Sequence, residues 1–199
     1  MQVAARPAPA LDLAHALRIQ ARANHLANRR LQGALAGLST AELHAPRTSF
    51  FPGLMPTLHH ILAVDVYYIA ALRGEADMEA QYLRCTPHLE LADHARAQDA
   101  SDLRLIALAD RLDAAALNAE VLMDRGEGRV QRDLAGHVLA HLFMHQTHHR
   151  GQVHAMLAGT AVKPPQLDEF LMPSDARFRG ADMATLGWSE ALYGTGPQN

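Results

Sequence analysis

The sequence predicts an all-α fold, a four-helix bundle. Four long stretches repeat their apolar residues at steps of three, four or seven, the period of a helix with one buried face. Alternating, strand-like pattern is confined to two short pieces around a Gly-Glu-Gly turn, so a small hairpin before the last helix is allowed. A chain of 199 residues with 49% hydrophobic residues is large enough for one packed domain.

The first helix is expected over residues 11–38, where Leu13, Leu17, Asn24, Asn28, Leu31, Leu35 and Leu38 share a stripe. Asn24 and Asn28 therefore fall on an apolar face, either as two satisfied core amides or as the polar floor of a pocket. Ser39 and Glu42 have the spacing of a capping box. After the Pro/Gly-punctuated "APRTSFFPGLMP", a second helix runs from about Pro56 to Leu72. Residues 75–98 show no clear period and read as a loop with at most a short helix. A third helix covers 99–117, with Leu105, Leu108 and Leu112 on its apolar face. Short extended pieces flank Gly126-Glu127-Gly128, and the fourth helix spans about Leu134 to Leu157.

The boundaries that follow are a bundle over 1–172 and an extension over 173–199, packed on the bundle or on a partner chain. The segment after Val162 is rich in Pro and Gly, yet it holds Phe170, Leu171, Phe178, Leu186, Trp188 and Tyr193. Such groups seek burial, and a two-fold homodimer is expected.

Composition narrows the function classes. Eighteen Lys and Arg against 21 Asp and Glu give a formal charge of −3, so no basic field favours nucleic acid. Cys85 is alone, which rules out an internal disulfide framework. The start "MQVAARPAPALDLAHAL" has some signal-like character, but Asp12 and His15 interrupt it. No apolar run reaches the roughly 18 residues of a membrane span. The expectation is a cytoplasmic protein that does not enter a membrane.

The chemistry gathers in "HLFMHQTHHRGQVHAML", residues 141–157. At helical spacing His137, His141, His145, His148 and His149 lie within an arc of about 120°, and His154 points elsewhere. The arc overlaps the apolar stripe, and buried imidazoles need partners. Three pairs have the i,i+4 spacing at which two imidazoles reach one ion: His137/His141, His141/His145 and His145/His149. A third ligand would come from His59 or His60 on the second helix. The competing reading is a partly exposed histidine face. No HExxH, GxSxG, Walker loop or GxGxxG is present. No catalytic nucleophile stands out: Cys85 reads as an ordinary loop cysteine, and Tyr67 and Tyr68 read as packing residues.

"NHLAN", "SFFPGLMPTLHHILAVDVYYIAALRGE" and "LAHLFMHQTHHRGQVHAML" with its "PPQLDEF" exit resemble the DinB/YfiT family over residues 15–171. Ala23 and Leu26 stand where that family would have aromatic residues. The resemblance implies a four-helix bundle that binds a divalent metal through His60, His145 and His149, with His141 and His148 behind them or at the rim and His59 in a slot where the family often has asparagine. Zinc or nickel suits such a nitrogen set. The resemblance also implies a metal-dependent thiol S-transferase, with a small thiol as cosubstrate, or a related hydrolase. The alternative is a non-catalytic, stress-related protein that binds a metal or ligand.

Overall fold

The computed structural model describes residues 11–85, 87 and 90–193; the signal-like start before Leu11 lies outside them. Helix α1 spans Leu13–Leu35 and opens on Asp12, whose carboxylate accepts the His15 backbone N–H at 2.7 Å. It stops short of the expected residue 38, because the next turn tightens: Leu38 N–H bonds Leu35 carbonyl. The capping box forms at Ser39 and Glu42 and starts the short α2, Thr40–His44. Helix α3 is Leu54–Leu72, and α4 is Met78–Arg84.

The third long helix differs from expectation. Helix α5 is Leu91–Ala109, eight residues earlier than the periodicity suggests, and a separate α6 covers Ala114–Leu117. The reason is physical. The buried face of α5 begins with His94, Gln98, Ser101 and Asp102 and becomes apolar only at Leu105. A polar core face hides a helix from an apolar period.

Strands β1, Glu120–Asp124, and β2, Val130–Leu134, form the allowed hairpin, with Glu120 opposite Leu134 and Asp124 opposite Val130. At its turn Gly126 has φ 75°, and a Cβ there would lie 2.5 Å from Glu79 Oε1. Helix α7, Ala135–Leu157, follows β2 directly. Helix α8, Ala176–Thr185, comes after an extended segment. None of the described helices is long and apolar enough to cross a membrane.

Helices α1, α5, α3 and α7 pack in that order around a ring, each against the next. The bundle interior has two apolar ends. One gathers Leu17, Tyr68, Leu105, Leu139 and Leu142; the other gathers Leu31, Leu35, Leu58, Val153 and Leu157. Between them lies a polar layer to which all four helices contribute. Asp102 of α5 accepts from Asn24 Nδ2 at 3.1 Å, from Asn28 Nδ2 at 2.9 Å and from Gln98 Nε2 at 3.0 Å; His25 Nδ1 is 3.3 Å away. Both asparagine carbonyls accept from Arg150 Nη1 of α7, at 2.5 and 2.8 Å. Asp65 of α3 accepts from Gln98 and Gln146, each at 2.8 Å. Burial, reinforced by Asp102, pushes the Asp65 carboxyl up to about 8.

The chain after α7 packs on the outer face of α1. Phe170, Met183 and Tyr193 are buried with Ala23, Leu26 and Ala27. Arg30 holds this segment through Glu169 Oε2 at 2.8 Å and Asp182 Oδ2 at 2.5 Å. Arg179, fully buried, donates to both Glu190 oxygens and lies over the Tyr193 ring.

Asp102→Ala would leave two amides without their acceptor and Arg150 facing a weakened counter-charge. The expected cost is about 3–5 kcal/mol, the range for breaking a buried charged network from one side. Urea denaturation checks this; a loss below about 1 kcal/mol would mean that the layer contributes little.

Candidate metal centre

Helix α7 has two working sides. Gln146 and Arg150 point into the polar layer, while His145 and His149, one residue earlier in each case, turn towards α3. There they meet His60, and one nitrogen from each of the three rings lies within 4.8 Å of the others. His60 Nε2 and His145 Nε2 are 2.9 Å apart. Ring centroids are 4.9 Å apart for His60 and His145, 4.6 Å for His60 and His149, and 4.4 Å for His145 and His149. Phe51 closes one side, its ring 4.2 Å from that of His60.

The three imidazoles are held neutral. Burial, then His149 and His59, pulls His60 down to about 4. Burial, then its histidine neighbours led by His149, pulls His145 down to about 3. His149 is also lowered, chiefly by burial. His149 Nδ1 is 2.8 Å from Gln152 Oε1, which can only accept. The proton therefore sits on Nδ1, and Nε2 presents its lone pair. His145 Nδ1 is buried and makes no hydrogen bond among the described residues. No carboxylate belongs to the cluster. Three neutral imidazoles converging with no carboxylate among them are a donor set that fits a divalent metal ion.

The other histidines separate. His137 is exposed on the outer side of α7. His141 is exposed at the pocket wall, with its ring 6.4 Å from His145 and 5.4 Å from Tyr68. His148 is exposed and shares Gln152, whose Nε2 is 3.2 Å away. His59 turns to a neighbouring hollow beside His44 and Met55. His154 bonds Pro165 carbonyl on the opposite side of α7. The common arc of five histidines thus narrows to two, because only the turn carrying His145 and His149 faces α3 at the level of His60.

A cavity of about 690 Å³ opens beside the three rings, within the roughly 300–1,000 Å³ of small-molecule sites. Phe50, Val64, Tyr82 and Leu83 give it apolar walls. The hairpin supplies its far side. Arg125 Nη2 lies 3.2 Å from Tyr68 Oη, and Tyr67 donates to Asp124 carbonyl at 2.5 Å. Tyr67 and Tyr68 are therefore cavity walls as well as packing residues. Sequence reading missed Arg125 and Gln152. Arg125 has no local signal, since it is placed by a turn; Gln152 does have one, three residues beyond His149.

The sequence model of the DinB family matches residues 17–181 of this chain, from the first turns of α1 into α8. A comparison with curated proteins finds no match.

The lowered imidazoles have a pH consequence. Unfolded, they take up protons near 6.5; folded, His60 and His145 resist until about 4 and 3. The unfolded state binds more protons in that window, so these groups withdraw stability as pH falls from about 6.5 towards 4. Asp65 acts oppositely and withdraws stability as pH rises from its ordinary 3.8 towards about 8. The difference between wild type and His145→Asn isolates the histidines. In chelator-treated samples, denaturant midpoints should fall more steeply from pH 6.5 to 4.5 in wild type than in the variant. Parallel curves would contradict the buried, neutral assignment.

Proposed function

The chain belongs to the DinB family, and from that premise we propose that it is a metalloprotein whose divalent ion, zinc or nickel, is held by His60, His145 and His149 and serves a thiol S-transferase reaction. The observation that carries this reading is the convergence of three neutral imidazoles at the wall of a cavity large enough for a small thiol and an electrophile. Bound there by the three imidazoles, a divalent ion would lower the pKa of a coordinated thiol or water and supply Lewis acidity.

The chain's own residues bind, orient and exclude water. Phe51 covers the imidazoles, and the apolar walls hold an electrophile out of water. Gln152 fixes the His149 tautomer. His141 stands in the wall, where its imidazole would accept the proton of the thiol as sulfur bonds to carbon and the electrophile's carbon–halide or epoxide carbon–oxygen bond breaks, the electron pair leaving with the halide or the ring oxygen. Among the described residues no cysteine lines the cavity: Cys85 is not part of its wall, and burial raises its thiol.

Metal analysis and a conjugation screen test the two halves of the proposal. Alanine at His60, His145 or His149 should each weaken metal binding at least about tenfold, and Gln152→Leu by about tenfold, the lower end for a lost orienting partner. His154→Ala should leave affinity unchanged. Equal affinity in His149→Ala and wild type would remove the site. Loaded protein is then offered low-molecular-weight thiols with alkyl or epoxide electrophiles, and thioether formation is followed by mass. Metal binding without any conjugation would instead support a non-catalytic metal- or ligand-binding role.

The same reading includes a homodimer. Leu171, Met172 and Phe178 of the docked C-terminal segment are each about half exposed, and exposed apolar groups of this size favour a partner surface. Light scattering at micromolar concentration should give twice the chain mass; a monomer mass would remove the dimer without touching the metal site.

A further inference from the structure

A second cavity, of about 390 Å³, lies on the other side of α7, enclosed by α1 and residues 166–171. Ala23, Ala27, Phe143, Leu167 and Phe170 give it an apolar lining. Arg150 is in its wall although only 9% of its surface is exposed. Its hydrogen bonds are one-sided. Nη1 donates to both asparagines, whereas Nε and Nη2 make no hydrogen bond among the described residues.

The electrostatics are equally one-sided. Arg179, the other deeply buried arginine, has Glu190 at 2.7 Å. Arg150 has no carboxylate within ion-pair distance among the described residues; Asp102, behind the two asparagines, and Asp65 act on it only from farther away. A buried cation without a direct anionic partner is costly. The uncommitted edge, Nε with Nη2, is the edge of a guanidinium that grips a carboxylate by two parallel bonds. The other polar wall groups are largely engaged. His154 Nε2 bonds Pro165 carbonyl, Thr147 Oγ1 donates to Phe143 carbonyl, and Gln166 bonds Asp168.

We propose that this cavity is a binding site for a small monocarboxylate with an apolar body. The carboxylate accepts from Nε and Nη2 of Arg150, and the apolar part lies against Phe143, Phe170 and the two alanines. The site is separate from the histidine centre, which opens on the opposite side of the same helix.

Gly151 provides the test without disturbing the polar layer. It lines the cavity, and a Cβ there would meet nothing within 4 Å. A leucine side chain would lean back along α7 and fill space in front of Arg150. Binding is measured by calorimetry and thermal shift in chelator-treated full-length protein, with phenylacetate and hexanoate as probes and phenylacetamide as the uncharged control. Wild type and Gly151→Ala should bind the carboxylates saturably. Phenylacetamide and Gly151→Leu should each lower affinity at least about tenfold, the loss of a charge-assisted pair of hydrogen bonds. Arg150→Met should do the same; if it does not fold, the Gly151 pair decides. His60→Ala should bind as wild type does. Equal binding of acid and amide, undiminished binding by Gly151→Leu, or loss in His60→Ala would overturn the proposal.

Discussion

The carboxylate of Asp102 is the point on which the bundle turns. It stands on α5, collects donors from α1 and from its own helix, and through the two asparagines faces Arg150 of α7. Gln98 extends the same connection to Asp65 on α3. Apolar contacts at the two ends tolerate small slips of one helix along another, since hydrophobic attraction has no direction. Hydrogen bonds between named atoms do not. A slide of α7 by one turn, ~5.4 Å, would take Arg150 away from both asparagines.

That register is what the histidine centre needs. Gln146 and Arg150 each follow a candidate ligand by one residue, so fixing the first pair fixes the second. The polar layer and the imidazoles are opposite faces of two turns of α7. Support of this kind, in which the residue next to a ligand is locked into the core, holds a site more tightly than packing around the ligand alone. It also accounts for cavities on both sides of the helix: side chains committed to the layer are drawn inward, and space is left beside them.

Much of this was legible in the sequence. Three of the four long helices, the hairpin at Gly126-Glu127-Gly128 and the capping box at Ser39 follow from periodicity and turn chemistry. The candidate ligands His60, His145 and His149 were singled out by spacing together with family resemblance, and these three rings do converge. Asn24 and Asn28 stood out because amides on an apolar stripe need partners, but the partners themselves were hidden. Asp102 lies in "DASDLR" and Arg150 in "HHRGQ", where charged residues look like solvated surface. Pairing across 74 to 126 residues leaves no local trace. The same concealment moved the start of α5, whose buried face is polar over its first half.

The docked C-terminal segment bears on how the chain comes off the ribosome. Arg30 is made early, and its partners Glu169 and Asp182 arrive 139 and 152 residues later. Arg150, too, reaches Asn24 only after most of the chain exists. Helix α1 must therefore wait, with its outer face uncovered, while three-quarters of the protein is synthesised. Contacts this distant in sequence close slowly, and uncovered apolar surface is open to association meanwhile. That face carries Leu26 and Ile19 beside the short Ala23 and Ala27, and it is Phe170 and Tyr193 that arrive to cover it.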